Sequence, residues 1–258
     1  MNCHIIFRRK IQLLSLFVLA VFNTAYASSE LHIQVTSITS AEFERHYSQR
    51  YIEPEPTIIT TQELTSTEDG SPKKHQTKSL TEIKEMLQGR VVFNTPSDSD
   101  LDSNDLGIMQ IRPADSSKGN INLSQDPPWF VAYFPEYETI VYEGGHMYEG
   151  AYDLRTGDDE NIVGSPYHFR HSPSGQWRIS GRYNGQECND YFLAKRSGEF
   201  LGISTYQPIH RFETEQFCSF NRAYWLDDAS FYVEESDYQS SDESKLKYKY
   251  SKITILDN

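Results

Sequence analysis

The chain has 258 residues, and its 24 Lys and Arg stand against 37 Asp and Glu, a net charge of −13 at neutral pH. A field of that sign repels phosphate backbones, and nucleic-acid binding needs clustered Lys and Arg, so nucleic acid is not an expected partner. The same acidity keeps a protein soluble and steers it toward a basic protein partner.

Arg8, Arg9 and Lys10 precede an apolar run from Ile11 to Phe22, and Ala25-Tyr26-Ala27 follows. Charged, apolar and small-residue regions in that order form a secretory signal peptide. The run is shorter than the about 20 apolar residues of a spanning helix, so no membrane span is expected after cleavage near Ala27. The predicted location is the periplasm or the extracellular space. Cleavage removes three positive charges and no acid, leaving 21 basic residues against 37 acidic ones and a net charge of −16. Cys188 and Cys218 remain, and an even pair in an oxidising compartment predicts a disulfide, with two buried free thiols as the alternative.

Along the mature chain, Leu31, Ile33 and Val35 alternate with polar residues, the period of a half-buried strand. Thr39-Ser40-Ala41-Glu42 fits a capping box opening a helix through about Gln49, stopped by Glu53-Pro54-Glu55-Pro56. Ser79-x-x-Glu82 is a second box, and Ile83, Met86 and Leu87 share a face of a helix from Leu80 to Gln88 with Gly89 beyond its end. The polar stretch Thr65 to Lys78 reads as a loop or hairpin tip. Asp98, Asp100, Asp102 and Asn104 alternate like calcium ligands, but Ser103 and Met109 stand where an EF-hand loop needs Gly and Glu, so a solvated acidic linker is expected. Short strands are expected near Val91–Phe93 and Ile108–Ile111.

From about Gln125 the pattern changes to short aromatic and β-branched runs separated by turns. Pro128 and Pro135 match Pro166 and Pro173 at an offset of 38 residues, and each unit reads as strand, tight turn, strand, loop, strand and Gly turn (Thr156-Gly157 or Ser197-Gly198). A third copy starts near Trp225 and closes with Leu246 to Leu256. The best turn, Ser172-Pro173-Ser174-Gly175 before Gln176-Trp177, resembles the Ser-Pro-Asp-Gly turn of β-propeller proteins of the TolB-like kind, over about half of the mature chain. The resemblance implies blades of antiparallel meanders. Three repeats are fewer than the four to eight blades with which propellers typically close. The expected fold is therefore mainly β with a small α+β N-terminal part, its meander sheets resembling the blades of a small or incomplete β-propeller. Its parts are the signal peptide 1–27, an α+β segment 28–120 and a β-sheet repeat domain 121–258.

The chain holds no G-x-S-x-G elbow, H-E-x-x-H, P-loop or dinucleotide fingerprint, so no catalytic residue, metal or cofactor is assigned. His168 and His171 lie three apart in a stretch of strand and turn, where such a spacing does not make a ligand pair. Asp158-Asp159 and Asp227-Asp228 fall in turns, where Asp is favoured for local hydrogen bonding. Tyr and Trp crowd the repeat region, and both supply large contact areas with a polar handle. Tyr142, His146, Tyr148, Trp177, Tyr183 and Trp225 are the binding candidates. The sequence thus points to an exported binding protein engaging another protein, in one form neutralising a toxin or envelope hydrolase. The alternatives are an envelope-acting hydrolase using acidic residues with His146 or His171, and a structural component of an envelope assembly.

Overall fold

A computed structural model describes residues 31–61, 74–94, 106–145, 148–185, 188–214, 217–237 and 247–256. The expected signal peptide 1–27, the acidic stretch 95–105 and His146 lie outside these residues. The described chain is mainly β, with two helices, α1 (Ser40–Tyr47) and α2 (Leu80–Met86). The first strands are β1 (His32–Ser37), β2 (Thr57–Thr60), β3 (Lys74–Thr77), β4 (Val91–Phe93), β5 (Ile108–Ile111) and β6 (Ile121–Asn122). Next come β7 (Trp129–Phe134), β8 (Thr139–Glu143), β9 (Glu149–Asp153), β10 (Arg170–His171) and β11 (Trp177–Tyr183). The last are β12 (Asn189–Phe200), β13 (Ile203–Arg211), β14 (Phe220–Asp227), β15 (Ser230–Asp237) and β16 (Lys247–Leu256).

The chain divides into two units. One comprises residues 1–33 with 255–258, of which the described residues are 31–33 and 255–256; the other is 34–254 and holds the rest of the fold. Four sheets have the strand orders β1-β16-β15-β14, β10-β11-β12-β13, β3-β2-β7-β8-β9 and β4-β5-β6. The three repeats are antiparallel meanders, β7–β9, β10–β12 and β14–β16, with β13 extending the second. Among the described residues no closed barrel or propeller is present.

Local signals account for the helices. Ser79 Oγ accepts from Glu82 N while the Glu82 carboxylate accepts from Ser79 N at 2.9 Å, a complete capping box. Thr39 Oγ1 likewise accepts from Glu42 N at 3.2 Å. Ile83 and Leu87 are buried as their spacing predicts, whereas Met86 is exposed at the edge of that face. They pack with Ile108, Ile111 and Ile140. The other face of the β7–β9 sheet buries Ala132, Phe134, Val141 and Ala151 with Ile58 and Phe169. A sheet covered on both faces has no polar side to alternate with, which is why its central strand β7 reads as a continuous apolar run. Helix α1 sets Phe43 against Tyr224 and Tyr250 of β14 and β16, and Tyr224 donates its hydroxyl to Phe43 O at 2.8 Å.

Two expectations are corrected. The polar stretch ending at Lys78 is not a loop throughout: Lys74–Thr77 is β3, hydrogen-bonded in parallel to β2. Ser197-Gly198 is not a turn but lies inside β12 at a register shift, and the chain reverses instead at Leu201-Gly202, where both residues have positive φ (52° and 79°). That pair of torsions follows the right-handed twist of the flanking strands.

Cys188 and Cys218 are joined in a disulfide across a sequence separation of 30. It clamps the approach to β12 to the approach to β14, and Asn189 N donates to Cys218 O at 2.8 Å beside it. Removing the bridge by Cys188→Ser with Cys218→Ser releases loop entropy in the unfolded chain. The expected loss is about 3–4 kcal/mol, measured as a lower urea midpoint than that of the oxidised protein.

Candidate functional site

The segment after α1 forms a strap. Pro54 and Pro56 fix its extended path, since the pyrrolidine ring locks φ and the residue before each proline is biased to extended backbone. Tyr51 N donates to Trp225 O at 2.8 Å at one end. At the other, Thr57 N and Oγ1 donate to the Glu136 carboxylate at 3.0 and 2.7 Å. Between them, Glu53 Oε2 accepts from His171 N at 2.9 Å, and Glu53 Oε1 meets His171 Nδ1. Under the strap lies a cleft of about 250 Å³ whose walls include Tyr51, Tyr137, Tyr167, Phe169 and Trp225. Ile52, 75% exposed, and Glu55 stand on its rim, and Arg50 and Arg170 also contribute to its walls.

The turn Ser172–Gly175 positions the far wall. Gly175 N donates to Ser172 O at 2.8 Å, Trp177 N to Ser172 Oγ at 3.2 Å, and Gly175 takes a φ of +70° that favours glycine. Asp228 reaches across from the next repeat to accept from Ser174 N at 3.0 Å, so this turn acid serves a distant strand connection and not only its own. The register that results sets His171 opposite Arg178 on the β10–β11 ladder. Directly opposed residues share a face. The His171 ring stacks on Tyr137 at 5.7 Å and tilts against Tyr206 at 5.4 Å.

Behind the cleft is a second cavity of about 280 Å³, whose walls include Arg155, Arg178, Ser204 and Tyr206. Tyr137 and His171 line both spaces. Arg155 is buried but fully matched: Nε and Nη2 donate to the two Asp153 carboxylate oxygens at 3.0 and 2.5 Å, and Nη1 to Ile203 O at 2.9 Å. Burial pushes the hydroxyls of Tyr137, Tyr167 and Tyr206 above the ordinary phenol range, so all three stay neutral donors.

The sequence-derived candidates are dispersed by the fold. Trp225 lines the cleft, donating Nε1 to Arg170 O at 2.8 Å. Tyr142, Tyr148 and Tyr152 form a separate cluster, in which the buried Tyr142 hydroxyl donates to Glu160 at 3.1 Å. Gly150 is required there, because a Cβ would fall 2.2 Å from the Tyr142 ring. Trp177 is buried with Lys195 over its ring at 5.1 Å, and Tyr183 is half-buried at the end of β11. Sequence reasoning did not single out Glu53, Tyr137, Arg178 or Tyr206. The hairpin register around Ser172–Gly175 was the one local clue, since it pairs His171 with Arg178.

Among the described residues no three His, Cys, Asp or Glu side chains converge as metal ligands do. No helix among them is long and apolar enough to cross a membrane. No protein-family model matches the chain, and neither the curated proteins nor the solved structures contain a significant match.

Close to Tyr167, Glu149 is largely buried, and among the described residues its Oε1 has no hydrogen-bond partner. Burial raises its carboxyl above the ordinary glutamate value. An acid whose folded-state pKa is raised holds its proton longer when folded than when unfolded. Its contribution is therefore complete below the unfolded-state value and is lost as pH rises through the folded-state one. Glu149→Gln is expected to flatten that descending limb and to gain stability over the wild type at neutral pH, as read from paired urea denaturation curves across the acid-to-neutral range.

Proposed function

We propose that this chain is an exported, non-enzymatic binding protein whose strap-covered cleft receives a segment of another protein. In one concrete form it neutralises a toxin or an envelope hydrolase. The observation that carries the reading is the cleft itself, where Tyr51, Tyr137, Tyr167, Phe169 and Trp225 meet from four separate chain segments. Rigid aromatic rings with polar tips are the side chains from which binding hot spots are built. Export is supported by the N-terminal charge, apolar run and Ala-x-Ala pattern together with the disulfide. A basic partner fits the mature charge of −16 and the exposed Glu55 at the rim.

Affinity capture with the mature chain, Ser28 to Asn258, from periplasmic and secreted fractions tests this. The expected outcome is a stoichiometric basic partner whose association slows as salt rises. Ile52→Asp, a change on the exposed strap, should weaken that partner by roughly tenfold or more while the fold survives. Recovery of no partner at several salt concentrations, or equal recovery by the variant, counts against the reading.

The Glu53–His171 pair favours a second reading, a hydrolase acting on envelope carbohydrate or peptide. A carboxylate on Nδ1 orients the ring, and His171 Nε2, without a hydrogen-bond partner among the described residues, is then placed to act as a base toward water. On this reading Glu53→Gln and His171→Gln each lower turnover of an envelope substrate by about 100-fold or more. Absence of turnover by the wild type removes it.

A further inference from the structure

Among the described residues, buried Arg178 forms no ion pair with a carboxylate. Arg178 is only 4% exposed. Its Nε donates to Ser180 Oγ at 2.8 Å and its Nη2 to Val163 O at 2.9 Å, both neutral acceptors. The guanidinium lies between the rings of Phe169 and Tyr206, at 3.8 and 4.4 Å from their centroids. Nη1 has no hydrogen-bond partner among the described residues, yet it is not one of the polar atoms sealed from solvent.

The nearby carboxylates are committed elsewhere. Asp153 forms a fork with Arg155, Glu53 holds His171, and Glu136 accepts from Thr57. Burial draws the pKa of Arg178 down to about 10, which still leaves it a cation at neutral pH. A buried charge without a partner is costly, and stacking on aromatic faces offsets only part of that cost. The space beside it is the cavity of about 280 Å³. That is just below the about 300 Å³ at which small-molecule sites begin, enough for a small acid.

We propose that this cavity binds a carboxylate, with Arg178 Nη1 as its counter-ion. Nη1 keeps in-plane N–H donors with no acceptor among the described residues, and a carboxylate oxygen accepts a charge-assisted hydrogen bond from such a donor. Ser204 adds a hydroxyl to the walls, and Val163 and Ile203 offer apolar surface to the body of the ligand. One uncompensated charge selects a monoanion: a phosphate dianion would place a second charge close to Asp153, Glu53 and Glu136. The carboxylate can belong to a free small acid or to the C-terminus of a polypeptide. In the second case the chain would lead past Tyr137 and His171, which line the cleft as well. The site stands whether or not the cleft binds a protein partner.

Calorimetric titration of the mature protein with N-acetylalanine, with the peptide acetyl-Ala-Ala-Phe bearing a free carboxylate, with the same peptide amidated, and with inorganic phosphate tests the proposal. Saturable single-site binding of a carboxylate, with no binding of the amide, is expected. Binding of N-acetylalanine points to a free acid as the source, and binding of the peptide alone to a polypeptide C-terminus. Arg178→Met, which keeps the side-chain volume, and Ser204→Phe, which fills the cavity and leaves Arg178 in place, should each weaken binding by roughly tenfold or more. Circular dichroism and melting curves establish that the variants fold, and if Arg178→Met does not, Ser204→Phe decides. Equal binding of the amide, binding of phosphate as tight as that of carboxylate, no saturable binding, or undiminished binding by a folded variant overturns it.

Discussion

The turn from Ser172 to Gly175 fixes which side chains of β10 and β11 face one another, and the interior of the second repeat is arranged around that choice. With this register His171 stands opposite Arg178, and Tyr206 donates its hydroxyl to Gly175 O at 2.8 Å, tying β13 to the same turn. A slip of one residue would send every side chain of the strand to the opposite face. Arg178 would then leave Phe169 and Tyr206, and His171 would lose its place beside Glu53. The Ser172 hydroxyl on Trp177 N and the Asp228 carboxylate on Ser174 N hold the turn against such a slip from inside and from the neighbouring repeat.

Arg155 and Arg178, both buried, show how differently one fold can treat the same charge. Arg155 is closed into a fork with Asp153 and into the carbonyls of Phe200 and Ile203, so it braces the β12–β13 turn against the end of β9. Arg178 has ring faces and neutral oxygens only. A matched buried pair contributes structure without leaving binding capacity, whereas an unmatched cation keeps its capacity at a cost in stability. The contrast between a paired and an unpaired guanidinium lies within one cavity wall.

Features encoded by neighbouring residues were legible in the sequence. The Ser79–Glu82 box, the turn before Trp177, the pairing of Cys188 with Cys218 and the meander order of the repeats all depend on contacts within a few residues or on simple pairing. Features set by distant partners were not. Lys74–Thr77 is a strand because β2 offers it an edge, and its own polar residues give no apolar alternation to read. Ser197-Gly198 has turn composition, yet it is absorbed into β12 as an irregularity because β13 pairs on both sides of it. The candidate site shows the same limit. Trp225 carried its aromatic signal into the cleft, while Tyr142 and Trp177, with the same signal, went into packing. Glu53 read only as part of a helix stop, since its partner His171 lies 118 residues away.

The strap has a kinetic implication. Two prolines and three anchoring points, at Trp225, His171 and Glu136, leave few torsions for an incoming molecule to freeze. Ordering entropy, which commonly erodes the affinity of loop-built sites, is here largely lost at folding instead of at binding. On the proposed binding role, recognition at such a wall would proceed by fit to a shape that already exists. Closely related ligands should then differ mainly in how long they stay, and much less in how fast they arrive.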